Sequence, residues 1–126
     1  MYFVTREFSF DSAHSLRGYK GKCAQIHGHE YRVEVTCESN ELDVLGMVID
    51  FGILNKILKE QISDVYDHTM LNDMKPFDVL NPTAENMAQV FYDIIVTHVS
   101  HTVGRSVYVT SVRVWESSKS VAEYRP

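Results

Sequence analysis

Cysteine is nearly absent: the 126 residues hold two, Cys23 and Cys37. Two thiols cannot build the disulfide framework of a small secreted domain, and no secretory leader pattern opens the chain. A reducing, cytoplasmic setting is therefore the expectation. No apolar run approaches the roughly eighteen residues that a membrane-spanning helix requires. Positive charge is also short, with 12 Lys and Arg against 17 Asp and Glu and a formal net charge of −5. That balance argues against a nucleic-acid partner, because no broad basic field is available, although a local basic pocket remains open. There is no internal repeat and no low-complexity segment. What is present is 44% apolar and 23% charged residues, the balance of a soluble globular protein. The length fits one domain over residues 1–126 with a core of its own.

Two stretches alternate with a period of two. Over residues 2–14, Tyr2, Val4, Phe8, Phe10 and His14 share one face, while Thr5, Glu7, Ser9 and Asp11 share the other. Over 27–38, His27, His29, Tyr31, Val33, Val35 and Cys37 oppose Glu30, Arg32, Glu34, Thr36 and Glu38. Each predicts a half-buried strand, with Cys37 in the core as a small hydrophobe. The segment 15–26 between them carries Gly18, Gly21, Arg17, Lys20 and Lys22 and reads as a loop. Residues Met47–Ile49 are expected to continue a strand, and Asp50 to cap a helix with the stripe Leu54, Ile57, Leu58, Ile62 and Val65.

After an irregular stretch over 74–82, Thr83 predicts the N-cap of a second helix. Its stripe is Ala84, Met87, Ala88, Phe91, Ile94 and Ile95, and His98 and His101 near its end read as surface residues. A strand over 106–116 places Val107, Val109 and Trp115 on one face and Tyr108, Val112, Val114 and Glu116 on the other. A short last strand covers Val121–Tyr124. The order predicts an α+β domain: a four-stranded antiparallel sheet with two helices packed on one face. The other sheet face is polar, suited to water or to the interior of an oligomeric barrel.

The chemistry gathers at Cys23-Ala-Gln-Ile-His27-Gly-His29. Histidines two apart on a strand point to the same side, so both imidazoles can reach one metal ion. If the two long strands pair antiparallel across the loop, the end of the first meets the start of the second and His14 joins them. Three imidazoles with an open fourth position suit catalytic zinc; Cys23 is either a fourth ligand or a free reactive thiol.

These residues resemble the 6-pyruvoyl-tetrahydropterin synthase and 6-carboxy-tetrahydropterin synthase family. The resemblance runs from Phe8 to Tyr124. It is carried by Phe8-Ser-Phe-Asp-Ser-Ala-His14, Cys23-x3-His27-Gly-His29, Ile49-Asp-Phe51, Asp67-His68 with Leu71-Asn72, Asn81-Pro-Thr83, Trp115-Glu116 and Tyr124. It implies the tunnelling fold (T-fold), with subunits forming trimers and then homo-hexamers and active sites between subunits. It further implies a zinc ion on His14, His27 and His29. Cys23 matches the family's proton-transferring thiol, Asp67 with His68 the pair that tunes it, and Glu116 the carboxylate that anchors the pterin ring. Arg17, Lys20 and Lys22 are candidates to attract the substrate triphosphate, or are simply a solvated loop.

The compact Cys–His spacing favours the queuosine-pathway branch, since the pyruvoyl-forming branch carries a longer one. The implied enzyme is a carbon–carbon lyase, 6-carboxy-5,6,7,8-tetrahydropterin synthase. It converts 7,8-dihydroneopterin triphosphate to the carboxy-pterin, acetaldehyde and triphosphate. The rival readings are a pyruvoyl-forming synthase that eliminates triphosphate without breaking the carbon chain, and an idle zinc- or pterin-binding module. Cys23, Asp67, His68 and Glu116 together speak against idleness, because a metal scaffold needs only the histidines.

Overall fold

The computed structural model describes residues 1–126. Its spine is a hairpin of two long strands, β1 (Tyr2–His14) and β2 (His27–Ser39). They pair antiparallel in unbroken register from Tyr2↔Ser39 to His14↔His27. The alternation decides which way they face: Tyr31, Val33, Val35 and Cys37 are fully buried, while Glu7, Asp11 and Glu30 are exposed. Because both strands end on histidine at the loop, the hairpin itself carries His14 to His27.

The helices cover the apolar face. Helix α1 (Phe51–Leu58) starts where Asp50 accepts the Gly52 N–H at 2.6 Å. It widens into a π turn over Lys59–Ser63 and ends in a short segment, α2 (Asp64–Tyr66). Helix α3 (Ala84–Val103) starts where the Thr83 hydroxyl accepts the Asn86 N–H at 3.1 Å, and Gly104 in the left-handed region stops it. Leu54, Leu58, Ile62, Met87, Phe91 and Ile95 project from these helices into one core with the β2 valines. No helix is long and apolar enough to cross a membrane.

Strand β3 is only Thr69–Met70, β4 is Tyr108–Ser117 and β5 is Ser120–Tyr124; the sheet order is β3-β1-β2-β4-β5. The sheet therefore has five strands and is mixed, not four-stranded and antiparallel, since β3 runs parallel to β1 beside Ser12 and Ala13. Two residues are too few to show alternation. A side chain helps pin this strand: Ser12 Oγ donates to the Thr69 carbonyl at 2.6 Å.

Met47–Ile49 is not a strand. Asp43 accepts the N–H groups of Leu45 and Met47, and the Arg105 guanidinium donates to the carbonyls of Met47 and Val48. Side chains thus satisfy backbone groups that a ladder would otherwise use.

Strand β4 departs from a single alternation. Its register against β2 shifts between Thr36 and Cys37, with Ser111 opposite the first and Val109 opposite the second. Thr110 is the extra residue of a bulge, so Val107 and Val109 before it and Val112 and Val114 after it all reach the core. A second shift, between Trp115 and Ser117 against β5, leaves Glu116 as the unpaired residue.

Candidate active site

The open end of the hairpin brings His14, His27 and His29 together, with their ligating nitrogens within 4.8 Å of one another. His14 Nδ1 donates to the Pro82 carbonyl at 2.7 Å, and His27 Nδ1 donates to the Gln25 carbonyl at 2.8 Å. Carbonyls only accept, so these contacts fix both tautomers and leave each Nε2 with a lone pair. The two Nε2 atoms face each other at 3.0 Å. Opposed lone pairs at that distance repel unless they share a cation, and the third imidazole stands beside them. The donor set fits a metal ion on residues in the state it needs: burial pushes His14 and His29 below the ordinary imidazole range, which keeps them neutral. Backbone carbonyls behind ligating imidazoles are the usual orienting device.

Long-range contacts hold this end in place. Asn72 accepts the Ser15 N–H and donates to the Ser15 carbonyl, each at 2.9 Å, just past His14. Asn81 clamps Arg17 in the same two-sided way. The Asn81-Pro82-Thr83 run therefore has three jobs in three residues: it clamps the loop, orients His14 and caps α3. The Arg17 guanidinium is committed to backbone carbonyls, with Phe77 at 2.6 Å and Asn72 and Leu80 at 3.4 Å. Arg17 is a loop clamp, whereas Lys20 and Lys22 are exposed and form no ion pair.

Glu116 reaches the same end from β4. Its Oε1 lies 3.9 Å from His14 Nε2. The bulge at Glu116 ends the regular ladder, and the gap beside it is a cleft of about 460 Å³ lined by His29, Arg32, Trp115, Glu116 and Ser117. Trp115 is held by its neighbours: its Nε1 donates to Glu34 at 3.0 Å, and the Arg32 guanidinium sits 4.4 Å over its ring. Beneath the histidines lies Tyr31, fully buried, its ring edge-on to both His14 and His29. Burial, and then the charge of Glu116, hold its hydroxyl far above the usual range and so protonated.

Asp67 and His68 form a second group. Asp67 Oδ2 accepts from His68 Nδ1 at 2.9 Å, and its Oδ1 accepts the Asp11 N–H at 2.8 Å. The His68 N–H donates to the Asp11 carbonyl at 2.6 Å, which holds His68 in the left-handed region at φ 56°. Hydrogen bonding to Asp67 raises the affinity of His68 for its proton, and the Asp11 N–H is the largest cause that holds the Asp67 carboxyl low. His68 lines a groove with His29, Ser12 and Thr69. Cys23, half-buried in a single tight turn, lines a different pocket with Lys22, Gln25 and His27. No hydrogen bond or ion pair joins Cys23 to the Asp67–His68 pair; within one chain they flank the histidines from separate pockets.

The roles of Pro82, Gln25, Asp11 and Tyr31 have no local signature. Pro82 and Asp11 act through the main chain on residues 68 and 57 positions away. Only the motif matches at Asn72 and Asn81 hinted that those loops matter.

The family model for 6-pyruvoyl tetrahydropterin synthase matches residues 3–126. A Haemophilus influenzae protein named 6-carboxy-5,6,7,8-tetrahydropterin synthase is 33% identical, over 99% of this chain and 99% of its own. Proteins of that name from Rickettsia typhi and Bacillus subtilis are each 31% identical, over 94% and 98% of this chain and 96% and 84% of theirs. The Caenorhabditis elegans 6-pyruvoyl tetrahydropterin synthase superposes with a TM-score of 0.86 at 27% identity, covering 99% of this chain and 95% of that one. The five-stranded sheet with its helices on one face is thus the T-fold. With its fold and nearly its whole length matched, the chain belongs to the 6-pyruvoyl tetrahydropterin synthase family of lyase-type enzymes.

Proposed function

We propose that this protein is a zinc-dependent 6-carboxy-5,6,7,8-tetrahydropterin synthase. It takes 7,8-dihydroneopterin triphosphate and one water to 6-carboxytetrahydropterin, acetaldehyde and triphosphate, a step toward queuosine and other 7-deazapurines. The observation that carries this reading is the approach of Glu116 to within 3.9 Å of a three-imidazole group. A pterin anchor and a metal-binding donor set then share one site. Relatives named for the carboxy product, at about a third identity over nearly full length, favour that branch, as does the compact spacing from Cys23 to His27.

His14, His27 and His29 hold the zinc, which when bound acts as a Lewis acid toward the oxygens of the substrate side chain. Glu116 accepts hydrogen bonds from the 2-amino group and N3 of the pterin edge, a bidentate fit for a carboxylate. Cys23 is the base that removes a proton from the side chain next to the ring. His68, kept protonated by Asp67, is the complementary acid, returning a proton at the ring or to the leaving fragment. Because Cys23 and His68 open into separate pockets, one complete set is assembled where two chains meet, within a cytoplasmic homo-hexamer built as a dimer of trimers.

Product analysis tests the reading. Zinc-loaded protein is given 7,8-dihydroneopterin triphosphate, and acetaldehyde, triphosphate and pterins are assayed together. Acetaldehyde released in step with the carboxy-pterin is the expected outcome. Triphosphate with a pyruvoyl-pterin and no acetaldehyde would assign the chain to the branch of the Caenorhabditis elegans enzyme. No turnover with zinc bound would leave a binding module.

A further inference from the structure

Tyr31 carries a hydroxyl that the core does not require. The side chain is fully buried, its oxygen is closed to solvent, and it has no hydrogen-bond partner within the chain. The ring alone accounts for the packing, stacked on Phe10 at 5.3 Å and set against His14 at 5.8 Å and His29 at 5.4 Å. Phenylalanine would fill the same space. Buried phenols as a rule find an acceptor, so the nearby acceptors decide what this one is for.

His14 and His27 turn Nδ1 to the carbonyls of Pro82 and Gln25, and their Nε2 lone pairs face each other at 3.0 Å, where a shared metal ion would take them. Glu116 is the acceptor that remains on β4. It stands one step beyond the last ladder pair, Arg32↔Trp115, which places it across from Tyr31 on the core side. Its carboxylate receives no hydrogen bond from any group of the chain, although it lies against His14. A donor without an acceptor thus neighbours an acceptor without a donor.

We propose that Tyr31 is a positioning residue for Glu116: its hydroxyl, unpartnered in the free chain, donates to the Glu116 carboxylate when a pterin is bound and holds it toward the three histidines. Each carboxylate oxygen has a second lone pair, so this bond leaves the outer edge of Glu116 free for two N–H groups of a ligand. The inference rests on the proposed function only in taking Glu116 as the pterin anchor.

The test is Tyr31→Phe, which removes one oxygen and keeps the ring, set beside Glu116→Gln and the double variant. On zinc-loaded protein, affinity for 7,8-dihydroneopterin is measured with zinc content, melting temperature, KM and kcat. For Tyr31→Phe, zinc content and melting temperature should hold while KM and the pterin dissociation constant rise about tenfold, the loss of a charge-assisted hydrogen bond. kcat should change far less. The double variant should bind no worse than Glu116→Gln alone, because the hydroxyl acts through that carboxylate.

Unchanged affinity in Tyr31→Phe, or additive losses in the double variant, would overturn the proposal. So would zinc loss without a change in pterin affinity, since the hydroxyl would then serve His29. If Glu116→Gln itself left pterin affinity intact, the functional reading of Glu116 would fail along with the inference. Intact binding in Tyr31→Phe alone would remove only the inference.

Discussion

At the residue scale, the informative pair is Asp67 and His68. The sequence names both and hides their geometry, because the left-handed backbone of His68 is set by Asp11, 57 positions away. Hydrogen bonding to Asp67 raises the pKa of His68 above the ordinary imidazole value. The charged pair is therefore complete below that ordinary value and is lost as pH rises through the raised one. Asp67→Asn should move the His68 titration, followed by its ring-proton NMR shifts, to lower pH, and the alkaline limb of kcat/KM should move with it. A His68 titration that stayed in place would mean Asp67 is not its partner in solution. Cys23 gives a sharper separation. Cys23→Ala should abolish turnover, by about a hundredfold or more for a lost acid–base group, while zinc content stays at the wild-type level. Zinc loss in that variant would instead make Cys23 a fourth ligand.

Between residues and the molecule stand the elements, where alternation was both reliable and misleading. It placed β1 and β2 correctly because neither strand is interrupted over thirteen paired positions. In β4 the same reading split Val107 and Val109 from Val112 and Val114, although all four are buried, because a bulge at Thr110 resets the phase. A bulge adds one residue and no distinctive side chain, so the pattern cannot announce it. The start of α3 was legible, since capping chemistry is local. What was not legible is that the preceding carbonyl orients His14.

This coupling predicts a double effect. Thr83→Ala should lower unfolding free energy by about 1 kcal/mol, read from urea denaturation. It should also weaken zinc retention, read by competition with a chelator, because the loosened N-terminus carries the Pro82 carbonyl. Thr83→Ser should restore both. Loss of stability with unchanged zinc affinity would separate the cap from the metal site.

The whole chain leaves a sheet with two accessible edges. Strand β3 covers β1 only beside Ser12 and Ala13, and β5 has no further neighbour. Exposed edges invite pairing with another chain. The sheet face away from the helices is charged, with Glu34 accepting from Arg113 at 3.2 Å and from Trp115 at 3.0 Å. Such a face is suited to the inside of a closed assembly as well as to water. Assembly matters chemically because Cys23 and His68 open into different pockets on either side of the histidines. If each complete site takes its thiol from one chain and its imidazole from the next, two inactive variants can repair one another. Cys23→Ala and His68→Ala, each inactive alone, should regain about a quarter of wild-type activity when co-assembled in equal amounts, since random pairing leaves one interface in four with both groups intact. Native mass spectrometry, with one variant carrying a tag, would establish that both variants occupy one oligomer. No recovery in verified mixed oligomers would place both groups of a site on one chain, because each site would then always lack either its thiol or its imidazole.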